Sequence, residues 1–370
     1  MGKIELDNVT KRYGELTAVD SLDIEFTEGT YTMILGPSGC GKSTTLRMIA
    51  GLERPTSGDI VIDGNVVTDQ PPRLRGISMV FQSLALWNHK TVRENIGFGL
   101  KMEGVDADER NARIKETAEI LHIADKLDQS PDSLSGGQQQ RVALGRSLVR
   151  EPEVVLLDEP LSSLDAKLRL EMRTELRRIQ QELGTTFIHV THNQEDAMTV
   201  ADEILLLDDG QLQQFGRSLD LYHEPANEFV ADFIGTPSMN IFDASYAAEN
   251  GSVGLDAGGF VLSIDGERAT KTRSQVEDDR VRVGIRPESL HVSNGASSTS
   301  GSSFAASVEI VETFGDLNWY YLDAELRSPL VLQSGEESTM QSLSVGDRVT
   351  LTVEDEDVHL FDPNTGVLLP

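Results

Sequence analysis

Through the first half of the chain, short all-apolar runs alternate with segments of helical period, the pattern of an open α/β sheet. Residues 31–35, 77–82, 154–157, 186–192 and 204–207 are such runs and predict buried strands. Residues 3–10 and 19–26 instead alternate polar and apolar side chains, so each predicts a half-buried strand. Lys11–Gly14 reads as a turn after the first, Glu28-Gly29 as the close of a hairpin after the second, and 58–64 as a further hairpin strand. Helices are predicted over 44–50, ending at Gly51, and over 108–124, with Ile114, Ala118, Leu121 and Ala124 on one face. Two more are predicted over 138–150 and 166–183. After about residue 236 the period shortens. Alternating strands at 280–285, 305–313, 317–325, 347–354 and 357–361 predict a small β-barrel or sandwich. Asn250–Gly259 and Asn294–Ser303 read as loops, the second nearly a flexible linker.

With 370 residues and 38% hydrophobic content, two domains are expected, 1–235 and 236–370. No apolar run approaches the ~20 residues of a membrane span, and Met1–Glu5 lacks the apolar core of a signal peptide. The one cysteine, Cys40, rules out a disulfide framework and fits a reducing cytoplasm, which empties the glycosylation match at Asn250-Gly251-Ser252. Against 32 basic residues, only 9 of them lysine, stand 61 acidic ones, a net charge of −29. Such a surface repels nucleic acid and anionic lipid. It is either an acidic docking face or an adaptation to concentrated salt, and the even spread of the acids along the chain favours salt.

The candidate chemistry begins at Gly36-Pro37-Ser38-Gly39-Cys40-Gly41-Lys42-Ser43-Thr44, which reads G-x-x-x-x-G-K-S between a strand and a helix. Its glycines let successive backbone N–H groups converge on phosphate at a helix N-terminus. Lys42 then reaches the β- and γ-phosphates, and Ser43 offers a hydroxyl to Mg²⁺. Asp158 and Glu159 end an apolar strand, where open α/β sheets bind ligands. Asp158 is the carboxylate partner a Mg²⁺ on Ser43 needs, and Glu159 is placed to orient or deprotonate a water. Other positions stay open on residues alone. Tyr13 is either a half-buried turn aromatic or an adenine stacker; Gln82 caps a turn or touches Mg²⁺ or the attacking water. His192 is structural or binds the γ-phosphate, and Ser135-Gly136-Gly137-Gln138 is a helix cap or a second phosphate site.

Taken together, Gly36–Thr44, Gln82, Leu134–Gln138, Val154–Pro160, Ser163-Leu164-Asp165 and His192 resemble, in order, the Walker A, Q-loop, signature, Walker B, D-loop and switch-histidine motifs of ABC-transporter ATPases. Residues 81–86, 161–169, 229–235 and 283–288 further resemble the sugar and glycerol-phosphate importer (maltose-type) subfamily, and the last 80 residues match only loosely. The resemblance implies an α/β P-loop ATPase domain with a helical subdomain over about 88–150, followed by a small all-β OB-like regulatory domain. It implies ATP and Mg²⁺ as ligands, Glu159 as general base, and Gln82 linking the site to a membrane partner. His192 contacts the γ-phosphate and Tyr13 stacks on adenine. Two copies, or a copy and a close paralogue, face head to tail, so Ser135–Gly137 of one closes over the Lys42 loop of the other. The implied partners are two transmembrane permeases and, indirectly, an extracellular solute-binding protein, with the chain on the cytoplasmic face of the membrane. Polyamine, iron and oxyanion importers share these motifs and are the alternative cargo classes. A soluble ABC ATPase acting on ribosomes or DNA expects two cassettes or a long coiled-coil insertion and a basic surface, which the sequence lacks. Where the family usually has Tyr-Pro and Met, this chain has Trp87-Asn88 and Lys90.

Overall fold

A computed structural model describes residues 2–162, 164–249, 252–293, 301–315, 317–335 and 343–370. Two compact units divide between Leu219 and Asp220. The first runs β1 (Ile4–Tyr13), β2 (Leu16–Phe26), β3 (Tyr31–Leu35), α1 (Lys42–Ala50), β4 (Ser57–Ile62), β5 (Asn65–Val66) and β6 (Ile77–Val80). A helical stretch follows: α2 (Val92–Ile96), α3 (Phe98–Met102), α4 (Ala107–Ile120) and α5 (Gly136–Leu148). The chain then returns through β7 (Val154–Asp158), α6 (Ala166–Leu183), β8 (Thr186–Val190), α7 (Gln194–Val200), β9 (Glu203–Asp208) and β10 (Gln211–Arg217).

Two sheets result, β2-β1-β4-β5 and β10-β9-β3-β8-β7-β6. The second is parallel except for β10. Its strands β3, β7 and β8 are buried along their whole length, as their largely apolar runs require. The alternating β1, β2 and β4 bury one face against α1 and the central sheet. That difference in pattern also corrects the expected hairpin at Glu28-Gly29. Half-polar β2 pairs with β1, while β3 lies between β8 and β9, so residues 27–30 cross from one sheet to the other. The turn expected over 11–14 is shorter, because β1 stays extended to Tyr13.

The helix expected over 108–124 ends at Ile120. Leu121 and Ile123 are both fully buried; two positions apart they would face opposite sides of a helix, so the chain turns at His122 (φ +54°) and buries both. Helix α5 begins at Gly136 rather than 138, capped by Ser135, and Glu151 (φ +52°) ahead of Pro152 stops it short of 150.

Helix α8 (Ser218–His223) spans the division, and the second unit continues with α9 (Glu228–Phe233), β11 (Asn240–Glu249), β12 (Ser252–Asp256), β13 (Val261–Ser263), α10 (Gly266–Arg273) and β14 (Arg280–Ile285). It ends with β15 (His291–Val292), β16 (Ser302–Thr313), β17 (Leu317–Asp323), β18 (Leu330–Gly335), β19 (Arg348–Val353) and β20 (Val358–Phe361). Two five-stranded antiparallel sheets, β13-β12-β11-β14-β20 and β15-β19-β16-β17-β18, share one core that includes Phe242, Val283, Phe304, Leu322 and Leu351. Strand β12 occupies the stretch expected as a loop over 250–259, and β16 takes up Ser302 and Ser303 from the expected linker; Asn250, Gly251 and residues 294–300 lie outside the described residues. Arg286 ties α9 to this unit by donating to the carbonyls of Ala231 (3.0 Å) and Ile234 (2.5 Å).

Strand β8 also buries a titratable ring. His189 is 0% exposed, its Nδ1 lies 2.9 Å from the Tyr31 hydroxyl, and burial pushes its pKa down to about 3. Below the ordinary value near 6.5 the unfolded chain therefore gains a proton that the folded chain refuses, so stability falls with pH until about pH 3. Between pH 7 and pH 5 this site should cost the wild type about 2 kcal/mol that His189→Phe does not lose. Urea unfolding at the two pH values measures the difference; equal losses in both proteins would remove His189 as the source.

Candidate active site

In the order β3, β8, β7, β6, four neighbouring parallel strands bring their C-terminal ends to one edge. The phosphate loop leaves β3, His192 follows β8, Asp158 and Glu159 end β7, and Gln82 follows β6. Residues separated by more than a hundred positions thus meet at the edge where such sheets bind ligands.

Within the loop, Gly36 (φ +147°) and Gly41 (φ +102°) cannot be replaced. A Cβ on Gly36 would lie 2.1 Å from the Leu207 carbonyl oxygen, and one on Gly41 2.3 Å from that of Ala18. No side chain caps α1, whose first turn holds Lys42, Ser43 and Thr44, and Ser38 and Gly39 lie in the loop that leads into it. Lys42 is buried at its base, donating from Nζ to the carbonyls of Gly36 (2.8 Å) and Pro37 (2.7 Å). Cys40 is buried beneath it, and burial pushes the thiol pKa up, which disfavours redox or nucleophilic chemistry.

Ser43 Oγ donates to Asp158 Oδ1 at 3.3 Å, and Arg47 stands 3.9 Å from the other carboxylate oxygen. Burial raises the Asp158 pKa, opposed by Arg47 and the Ser43 hydrogen bond. A buried carboxylate beside a hydroxyl is an oxygen set that suits a hard divalent cation sharing phosphate oxygens. Among the described residues no three of His, Cys, Asp and Glu cluster as a self-sufficient metal cage.

Glu159 adopts φ +47°, uncommon for a residue with a side chain. Its N–H donates to the Val190 carbonyl (3.0 Å), and its own carbonyl accepts from Ser162 Oγ (2.9 Å). This strained turn aims the carboxylate where Gln82 Nε2 reaches Oε2 at 3.3 Å and His192 Nδ1 lies 3.5 Å from the same oxygen. Gln82 also donates to Ser162 Oγ at 3.2 Å. Tyr13 ends β1 with 47% of its surface exposed and Lys11 Nζ 4.8 Å from its ring centre. Ser163, expected in the turn after Pro160, lies outside the described residues.

The Ser135–Gln138 segment does not join this cluster. Ser135 and Gln138 satisfy one another in a capping box, and among the described residues neither bonds the loop at 36–44. The N–H groups of Gly136 and Gly137 have no acceptor there either. Leu168 packs against Gly137 so closely that a Cβ would lie 2.7 Å from its Cδ1.

Three arginines escaped the sequence reading: Arg75 and Arg146 because their partners are carbonyls, which leave no spacing to detect, and Arg47 because its partner Asp158 lies more than a hundred residues along the chain. Arg75 closes the C-terminal end of α1 by donating to the Met48 and Ile49 carbonyls, both at 2.8 Å. Arg47 faces Asp158, and Arg146 of α5 holds the loop after Gln82. The departures at Trp87 and Lys90 gather there: Trp87 packs on Phe98 with centroids 4.5 Å apart, and Lys90 Nζ lies 5.9 Å from the same ring. Beside them an open apolar groove of about 320 Å³ runs between Leu52, Met79, Phe81, Arg146 and Arg150.

Residues 19–162 match the family described as ABC transporter, 235–290 the MalK OB fold domain and 283–361 the TOBE domain. The chain is 47% identical to the xylose/arabinose import ATP-binding protein XacJ of Haloferax volcanii, over 99% of this chain and 95% of that protein. It is 45% identical to an sn-glycerol-3-phosphate import ATP-binding protein of Agrobacterium fabrum, over 99% and 94%. The sulfoquinovosyl glycerol transport ATP-binding protein SmoE of the same organism is 44% identical, over 99% of each. Among solved structures, a dimeric bacterial ABC transporter cassette superposes on 58% of this chain and 98% of its own with a TM-score of 0.52 and 33% identity. A cassette bound to ADP and phosphate does so with a TM-score of 0.51 and 32% identity. Strand-end geometry, full-length similarity and a C-terminal β unit of MalK type agree: the chain belongs to the ABC-transporter ATPases, as an ATP-binding subunit of the import branch.

Proposed function

We propose that the chain hydrolyses ATP to drive import of a sugar or glycerol phosphate through two permease subunits, working as a pair of ATPase copies at the cytoplasmic face of a membrane. The observation that carries the catalytic part is the meeting of Lys42, Ser43, Asp158, Glu159, Gln82 and His192 at one sheet edge. ATP phosphates take the loop amides, and Lys42 exchanges its two carbonyl partners for phosphate oxygens, a charge-assisted bond in place of neutral ones. Ser43, Asp158 and Gln82 would hold Mg²⁺, which would supply positive charge to the phosphates. Glu159 takes a proton from a water as that water's oxygen bonds the γ-phosphorus; the bond to the β–γ bridging oxygen breaks, and ADP leaves. His192 contacts the γ-phosphate, and Tyr13 stacks on adenine. Catalysis here is positioning plus charge stabilisation, which is why the edge supplies amides, one lysine and carboxylates rather than a nucleophile.

Docking on a permease is supported by the apolar groove beside Phe81, which is 38% exposed in an otherwise acidic chain. No described helix is long and apolar enough to cross a membrane. The cargo class rests on the names of the relatives and the MalK-type β unit. Deleting the gene should abolish uptake of a labelled pentose, hexose or glycerol phosphate, and a plasmid copy should restore it. Loss of polyamine, iron or oxyanion uptake with sugar uptake intact would move the chain to that alternative.

A further inference from the structure

The loop after Gln82 turns through two consecutive left-handed residues, Leu84 (φ +55°) and Ala85 (φ +47°). Residues with side chains resist this conformation, and a pair of them persists only where the surroundings hold it. Successive left-handed residues send their carbonyls the same way, and one side chain takes both. Arg146 donates from Nη2 to the Leu84 oxygen at 2.7 Å and from Nη1 to the Ala85 oxygen at 2.5 Å. Its guanidinium also lies 5.2 Å from the Trp87 ring centre. The loop's far end is fixed separately: the Trp87 N–H donates to Asn95 Oδ1 at 2.9 Å, and Asn95 Nδ2 returns a bond to the Trp87 carbonyl at 3.1 Å.

The near end leaves β6 at Val80 and turns on two backbone bonds, Leu84 N–H to the Phe81 carbonyl (2.9 Å) and Ala85 N–H to the Ser83 carbonyl (2.5 Å), and it carries Gln82, whose amide reaches Glu159. We infer that Arg146 is a positioning residue for hydrolysis, clamping the left-handed pair Leu84–Ala85 to α5 so that Gln82 meets Glu159. Because α5 begins at Gly136, behind the Ser135 cap, the same clamp makes Gln82 follow any movement of that cap. The planar guanidinium fork suits the task, since it meets two carbonyls at once and stays charged at every working pH. The inference rests on the proposed roles of Gln82 and Glu159 and adds a residue outside the nucleotide's reach.

Steady-state ATPase of the full chain, with ATP affinity and thermal unfolding measured alongside, tests it. Arg146→Gln should lower kcat about tenfold with KM for ATP nearly unchanged. Combining it with Gln82→Ala should be no slower than Gln82→Ala alone, because one residue acts through the other. Ala85→Gly should restore much of the lost kcat in the Arg146→Gln chain, since glycine adopts φ > 0 without a clamp. Should Arg146→Gln fail to fold, Arg146→Lys keeps the charge and one carbonyl contact, and the same cycle and the same glycine rescue apply to it. Two slow single variants whose losses multiply, or a kcat that Ala85→Gly cannot lift, overturn the clamp while leaving Gln82 its role. A Gln82→Ala chain with full kcat brings down the Gln82 assignment, and with it any clamp acting through Gln82.

Discussion

Glu159→Gln is expected to cut ATP turnover by about 10²–10⁴-fold, the worth of a positioned base, while ATP affinity stays near that of the wild type. Backbone bonds hold Glu159 in place from both sides: its N–H sits on Val190 and its carbonyl accepts from Ser162. Those bonds survive the substitution, and glutamine has the same shape, so the strained φ of +47° and the side-chain direction are kept. What disappears is the ability to accept a proton from water. The residues proposed for phosphate binding, Lys42 and Ser43, open α1 and are untouched. Single-turnover hydrolysis and equilibrium binding of ATP separate the two effects. A variant that turns over near the normal rate would strip Glu159 of its role, and one that fails to bind ATP would mean that the carboxylate serves the ground state instead.

Most of this edge was legible in the sequence because its chemistry is carried by strand ends. An all-apolar run such as Val154–Leu157 can only be an interior strand, so the acids that follow it fall at the sheet edge. Residues 166–183 show the same clarity: Asp165 caps the helix start, Gly184 (φ +64°) ends it, and the observed helix has the expected bounds. Legibility fades where two local signals compete. His122 stands between Leu121 and Ile123, both apolar, and the stretch reads as helix until burial demands alternation. In the second unit β11 mixes the strand formers Ile241, Phe242 and Tyr246 with Asn240, Asp243 and alanines, a weak local signal that pairing with β12 and β14 completes. Arg146 was invisible for a different reason, since its partners Leu84 and Ala85 contribute carbonyls that any residue would carry.

Ser135→Arg carries the other large expected effect, on a site that we propose two copies complete together. Within one chain the Ser135 cap bonds only its own helix, and among the described residues no side chain takes the first-turn N–H groups of Gly136 and Gly137. Leu168 packs against Gly137, where a Cβ would lie 2.7 Å from its Cδ1, so a larger residue there would have to displace the leucine. A phosphate brought by a second copy would meet two free amides and a helix N-terminus; an arginine at 135 would bring bulk to that approach and break the capping box. Mixing the variant with an equal amount of wild type and letting subunits exchange gives wild-type pairs in about a quarter of dimers by random assortment of a symmetric dimer. If both sites must close together, activity falls to about that quarter, whereas a variant that is merely inactive by itself leaves about half. The quarter is the expected result, and an activity of one half, with subunit exchange verified by labelled chains, would overturn the requirement that both sites close together.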